Sequence, residues 1–278
     1  LLRLISYCKN KKIKLIADIT EWYLPQGNLF TKIIKGLDSY YRMNFLHKKL
    51  DGVIVISRFL EKIYKDCNII RLPPLVNKKS DKWKKIDNLK LEFYKLIYVG
   101  SISHGHKDRL DVIINSLSRI KHSVKDFKFM IIGVTKKEYL SFFGSESLPS
   151  NVDDFVSFLG RKRHKEVIIK IKESDYSIFL RENNLLNTAG FPTKFVESLA
   201  CGTPVITNLS SDISEYFIKG QTGYLLSSIK EKELDKNLCK ILNENKNKVS
   251  MMKQKTLDYN KFHYEEYIDE FNNFLISL

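Results

Sequence analysis

Residues 180–208, LRENNLLNTAGFPTKFVESLACGTPVITN, hold the densest chemistry in the chain. A strand ending at 180–181 runs into a polar loop, then into Gly190, Phe191, Pro192 and Thr193, and then into a helix carrying Lys194 and Glu197. Proline is accepted at a helix start, where its missing N–H had no intrahelical partner to lose. Free backbone N–H groups and the positive dipole end around Thr193 favour an anion. A diphosphate fits there, with Lys194 adding charge. Glu197, one turn on, can accept hydrogen bonds from a ribose diol. The plain alternative is a surface i,i+3 ion pair between Lys194 and Glu197, contributing ~0.3 kcal/mol.

A second stretch, LIYVGSISHGHKDRLD at 96–111, leads a strand into Gly100 and Ser101. A loop with His104, Gly105 and His106 comes next, then Lys107 at the mouth of a helix. In an open α/β sheet ligands lie beyond the carboxyl ends of the strands, where both loops would converge. His104 and His106, a lone H-x-H pair, make a poor metal set. Upstream, ADITEWY sets Asp18 and Glu21 after a strand end. Asp18 either caps the next helix or faces an acceptor.

The elements that must position these residues show in the hydropathy pattern. Short apolar runs at 13–19, 53–57, 69–72, 96–100, 127–134, 156–160, 176–180, 204–207 and 223–226 read as strands. Most are continuously apolar, as in parallel sheets buried on both faces. Helical periodicity at 108–121, 165–173, 194–200 and 230–243 fills the gaps, the alternation of a doubly wound α/β fold. The polar run NKKSDKWKKIDN, after Pro73 and Pro74, marks a boundary. Six strand–helix units lie beyond it and only three strands precede it, so the first part reads as the second half of another Rossmann-like domain. The expected organisation is 1–80, 81–258, and a closing helix at 259–278. In that helix Phe262, Tyr264, Tyr267, Phe271, Phe274 and Leu275 form an aromatic stripe packed on a core.

Composition narrows the classes. The chain has 278 residues, 43% of them hydrophobic and 28% charged, which fits one large domain or two and excludes a disordered or coiled-coil chain. No apolar run reaches the ~20 residues of a membrane span. The formal charge is +15, from 38 Lys and only 9 Arg against 32 acidic residues. Readers of nucleic acid lean on arginine's planar fork, so nucleic acid is not the expected partner. A solvated lysine surface attracted to anionic lipid fits better. Cys8, Cys67, Cys201 and Cys239 are far apart and form no zinc spacing. They read as free thiols in a cytoplasmic protein, placed in the cytoplasm or peripherally at the inner face of the membrane. The chain opens on Leu1 and reads as a fragment of a longer one.

Four of these segments, in order, resemble the GT-B glycosyltransferases, specifically family 4 of retaining, nucleotide-sugar-dependent enzymes. YVGSISHGHKDRLDVII is similar to the family's first strand, phosphate loop and helix, and FKFMIIGV to its second strand. VSFLGRKRHKEVIIKIKESDYSIFL resembles the base-facing turn and the strand after it. AGFPTKFVESLACGTPVITNLSSDISEYFIKGQTGYLL resembles the donor helix and the segment after that helix. DGVIVISRFLEKIYKDCNIIRLPPL is similar to the end of the N-terminal domain.

The resemblance implies an α/β fold of GT-B type with two Rossmann-like domains, the N-terminal one incomplete. It implies a glycosyltransferase moving a sugar, with retention, from a nucleotide diphosphate sugar to an acceptor hydroxyl. The acceptor would be a saccharide or lipid-linked saccharide, in surface polysaccharide or glycolipid assembly. No cofactor and no metal are implied. Glu197 would bind the donor ribose. Backbone around Gly190, Phe191 and Thr193 would hold the diphosphate, with Lys107 and Lys194 neutralising it and Gly100 and Ser101 beside it. The turn at Gly160 and Arg161 would lie against the base. Asp18 and Glu21 are the remaining acid–base candidates.

Two departures stand out. Ser101 replaces the family's Arg. Ala189 replaces the first of its paired glutamates, a loss for which Arg181, Glu182 or Asn187 would have to substitute. The rival reading is a catalytically inactive GT-B-like module that holds a nucleotide or a partner.

Overall fold

The computed structural model describes residues 1–23, 25, 27–86, 93–102 and 107–278. They form two compact units. One comprises Leu1–Leu75, Asn183–Phe191 and Phe262–Leu278; the other comprises Val76–Glu182 and Pro192–Lys261. The segment 183–191, which the sequence assigns to the second domain, is thus part of the first unit.

The first unit is built on a parallel sheet of β1 (Ile16–Ile19), β2 (Gly52–Val55) and β3 (Ile69–Arg71), in that order. β1 pairs with β2 from Ile16 opposite Gly52 to Ile19 opposite Val55. Ile19, Val53, Val55 and Ile70 are buried and anchor its core.

The second unit carries six parallel strands: β4 (Tyr94–Val99), β5 (Phe127–Ile132), β6 (Val156–Phe158), β7 (Tyr176–Ile178), β8 (Val205–Asn208) and β9 (Gly223–Leu226). Their spatial order is β6-β5-β4-β7-β8-β9. β4 therefore lies at the centre, with the chain winding outward from it in both directions, the strand order of a dinucleotide-binding fold with its switch point at β4. Leu96, Ile97, Phe129, Ile131, Tyr176 and Ile178 are all essentially inaccessible, which is why these strands read as largely apolar runs. All nine expected strands are present. Six of them end one or two residues early, and in β4, β5 and β6 the chain turns at glycines 100, 133 and 160 just beyond the strand.

The closing segment differs from expectation. It is not one helix but a 3₁₀ turn, Tyr264–Tyr267, followed by a helix, Ile268–Ile276. Of the aromatic stripe only Phe262 and Phe274 are buried, while Tyr264 and Leu275 are exposed. The closing segment meets the sheet of its unit at Gly52, where a Cβ would lie 2.6 Å from the Leu278 side chain and 2.7 Å from the Phe274 ring. Asn68 holds its end by donating to the Ser277 carbonyl at 3.1 Å.

The lysine surplus is not all surface charge. In the second unit Lys78 donates to the carbonyls of Leu257 and Tyr259, Lys172 to Lys84, and Lys253 to Lys172 and Ser174. Each ammonium satisfies carbonyls that a helix end or loop leaves unpaired. The four cysteines are free; Cys8 and Cys201 are buried and the other two partly so.

Candidate functional site

Three glycine turns lie side by side at the carboxyl ends of β4, β5 and β6. The Gly100 amide donates to Ile132 at 3.0 Å, and the Gly133 amide to Gly160 at 2.8 Å. Gly133 has φ +97°, and a Cβ there would stand 2.4 Å from the Gly100 carbonyl oxygen. A Cβ on Gly100 would stand 2.6 Å from the Lys194 ammonium and 2.8 Å from the Tyr98 hydroxyl. Gly100 and Lys194, 94 residues apart in the chain, are thus in contact because glycine leaves the space.

Lys194 follows Thr193 in the helix Thr193–Ala200, which starts on Pro192. Its ammonium pairs with Asp108, and the Arg181 Nε donates to the other carboxylate oxygen at 3.0 Å. The Tyr98 hydroxyl completes the set at 2.8 Å. The Lys194 ammonium also lies 4.3 Å from the centroid of the Tyr98 ring. Only 8% of the Asp108 side chain, 10% of Arg181 and 13% of Lys194 are exposed, so the charges are held largely out of water. Burial alone would raise the Asp108 pKa. The charges of Lys194 and Arg181, with the hydrogen bonds from Lys194 and Tyr98, more than offset that and bring it down to about 2. Burial pushes the Tyr98 phenol well above its ordinary value.

A carboxyl whose folded pKa lies below its unfolded one contributes stability that is complete above the unfolded pKa and lost as pH falls through the folded one. With about 2 against an ordinary 3.8, the window runs from pH 4 down to 2, and the contribution is about 2 kcal/mol. Denaturant unfolding should therefore show the wild type losing that much over this window relative to Asp108→Asn, which has no proton to take up.

Glu197 is engaged elsewhere: its carboxylate meets the His164 Nε2 at 3.1 Å, at the start of the helix His164–Glu173. The expected alternative of a Lys194–Glu197 surface pair is therefore corrected, since Lys194 turns to Asp108 and Glu197 to His164. Thr193 and Arg161 are exposed, Ser101 is exposed beside Gly100, and Lys107 is half-buried. His104, Gly105 and His106 lie outside the described residues. Among the described residues no cluster of three His, Cys, Asp or Glu side chains could hold a metal ion.

The substitutes considered for the missing glutamate have other partners. Arg181 is held by Asp108, and Glu182 is paired with Arg109, which also grips Asp111 at 2.8 Å. Ala189 itself is fully buried, and its carbonyl accepts from the Ser57 hydroxyl at 2.6 Å.

Gly190, Phe191, Asp18 and Glu21 belong to the first unit. The Gly190 amide donates to Leu186 at 3.2 Å, so it closes the short helix Leu185–Ala189 rather than standing ready for a phosphate. A Cβ on Gly190 would lie 3.8 Å from that of Glu21. Phe191 is buried, with its ring 6.0 Å from Phe262. Asp18 does not cap the next helix, Leu29–Tyr41; Asn28 does, accepting from the Thr31 amide. Asp18 instead lines a cavity of 440 Å³ with Tyr23, Ser39, Arg42, Met43 and His47, in the size range of small-molecule sites. Burial, and then the Arg42 charge, lower the His47 pKa.

Asp108, Tyr98 and His164 are absent from the sequence candidates. Asp108 reads locally as an acidic residue at a helix start, and nothing near it in sequence announces a partner 86 residues away.

Two Rossmann-like units on parallel sheets, with glycine turns and paired cations gathered at the carboxyl edge of the second, define an α/β protein of GT-B type. The family model described as "Glycosyl transferases group 1" matches residues 79–258, and the chain belongs to that family. Comparison of the sequence with curated proteins returned no match. Among solved structures, Anabaena Alr3699/HepE in complex with UDP-glucose superimposes with a TM-score of 0.71 at 12% identity, covering 100% of this chain and 76% of that one. A variant of S. aureus TarM in complex with fondaparinux, α-GlcNAc-glycerol and UDP gives 0.66 at 16% identity, covering 95% and 51%. The pneumococcal O-GlcNAc transferase GtfA in complex with UDP and GlcNAc gives 0.67 at 12%, covering 99% and 54%. The chain thus spans about half the length of TarM and GtfA.

Proposed function

We propose that this chain binds a nucleotide diphosphate sugar and transfers the sugar to an acceptor hydroxyl. The observation that carries the reading is the contact of Gly100 with the Lys194 ammonium, at the sheet edge where such folds take ligands. Lys194, Lys107 and the first turn at Thr193 would stabilise charge on the departing diphosphate, a form of electrostatic catalysis. Glu197 would accept from the donor ribose, and the turn at Gly160 and Arg161 would face the base. UDP is the probe of choice, since Alr3699/HepE, TarM and GtfA were each solved with UDP or UDP-glucose. Retention of configuration rests on family resemblance. The mechanism asks for no metal, since side-chain cations and the helix terminus take that task. On the acceptor side, Asp18 at its cavity and Glu21 beside Gly190 are the candidate polar groups. Calorimetry with UDP, then a panel of nucleotide sugars scanned for hydrolysis and transfer, tests the reading; absence of UDP binding would end it.

One observation favours the rival, a binding module without turnover: buried Ala189 supplies no carboxylate where the family has its first glutamate. UDP binding without turnover of any donor, in the presence of saccharide and lipid-linked acceptors, would decide for it.

The acceptor class we favour is a lipid-linked saccharide in polysaccharide or glycolipid assembly, met peripherally at the inner face of the membrane. In the helix Leu29–Tyr41 no residue is buried; Leu29, Phe30, Ile33, Ile34 and Leu37 are each more than half exposed. The first fifty residues hold ten Lys and Arg against three Asp and Glu. Basic residues at an anionic surface contribute ~1 kcal/mol each, fading over a Debye length of ~8 Å at physiological salt. Sedimentation with anionic vesicles should therefore fall steeply with salt, and neutral vesicles should bind far less. Binding indifferent to both would remove the electrostatic part of this reading. No helix among the described residues is long and apolar enough to cross a membrane.

A further inference from the structure

The Asp108 cluster goes beyond the donor-binding reading while resting on it. One carboxylate faces two cations: Lys194 and the Tyr98 hydroxyl on Oδ2, Arg181 on Oδ1. The ring of Phe179 backs both cations, 5.6 Å from the Lys194 ammonium and 5.8 Å from the Arg181 guanidinium carbon. The other charge acting on Lys194 is Glu197, itself held by His164. Two positive charges against one negative leave the cluster with a surplus of one, directly against Gly100.

We propose that Asp108 is a positioning residue for the donor: its carboxylate holds the Lys194 ammonium charged and packed on Gly100, so that Lys194 and Arg181 together meet a nucleoside diphosphate. The physical need is plain. Burial, and after it the neighbouring guanidinium's charge, leave the Lys194 pKa below its ordinary value, and Asp108 is the principal group that opposes this. A neutral amine would offer the diphosphate a hydrogen bond but no charge. The carboxylate lowers the net charge of the site and in return keeps its lysine a cation.

Asp108→Asn separates this role from a merely structural one, because it keeps the shape and removes the charge. Calorimetry with UDP is run from pH 7 to 9, above the second ionisation of a terminal phosphate near pH 6. Wild-type affinity should change less over this range than that of the variant. Affinity of Asp108→Asn should fall with rising pH, approaching about tenfold per unit once Lys194 deprotonates. Asp108→Asn with Lys194→Met should bind weakly at every pH, because the titrating group is gone. If Asp108→Asn does not fold, NMR of the Lys194 ε-ammonium in the wild type decides: it should be protonated at pH 7. A profile for Asp108→Asn no steeper than the wild type's, or a wild-type Lys194 already neutral at pH 7, overturns the proposal and leaves UDP binding standing. Failure of the wild type to bind UDP overturns the donor reading and this proposal with it.

Discussion

Gly133→Ala should destabilise the second unit by about 3 kcal/mol or more, and the loss should be accompanied by loss of nucleotide binding. Gly133 sits at φ +97°, a conformation that costs a residue with a Cβ about 1–2 kcal/mol by itself. The added methyl would also meet the Gly100 carbonyl oxygen at 2.4 Å. That oxygen is backbone, and the Gly100 amide is tied to Ile132 at 3.0 Å, so it cannot swing aside as a side-chain tip would. Relief has to come from prising β4 and β5 apart at the edge where Gly100 and Lys194 meet. Denaturant unfolding of Gly133→Ala beside Gly144→Ala makes the comparison. Gly144 also has positive φ (+96°), but a Cβ there meets nothing within 4 Å, so it reports backbone strain alone. Equal destabilisation of the two variants would show that the close approach to Gly100 is unimportant.

Glu197→Ala should weaken UDP binding by ~1.5–3 kcal/mol, the scale of a hydrogen bond to a charged group, which is roughly ten- to 150-fold in affinity. Glu197 is positioned for this by the helix Thr193–Ala200, which buries Phe195, Val196, Ser198 and Leu199 and leaves Glu197 30% exposed. Its present partner, His164, has a side chain 56% exposed, so a ribose hydroxyl can compete for the carboxylate at little cost. His164→Ala should accordingly leave affinity within a few-fold of wild type. An unchanged affinity in Glu197→Ala, or equal losses in both variants, would assign Glu197 to holding the helix at His164.

How locally each property is encoded decides whether the residues alone reveal it. β4, β5 and β7 are recognisable because strands buried on both faces must be apolar at nearly every position, and the glycines at 100, 133 and 160 punctuate the carboxyl ends of β4, β5 and β6. The helix holding Lys194 and Glu197 announces itself through Pro192 and its apolar spacing. Motif order along the chain is enough to indicate the GT-B fold. Pairing is another matter. Lys194 has Glu197 three residues away, the partner that helical spacing offers, yet it turns to Asp108, because the switch at β4 brings the helix start after β4 to the carboxyl end of β7. Asp18 can be read as a cap only because the start of the next helix is not visible in sequence; it lies inside β1, and Asn28, adjacent to the true first turn, takes the role. In the closing segment periodicity says which residues share a face and not how much of that face a sheet will cover. In the helix Ile268–Ile276 only Phe274 finds the gap over Gly52. Side-chain partners across 80 or more residues depend on strand order, and strand order is a property of the folded sheet.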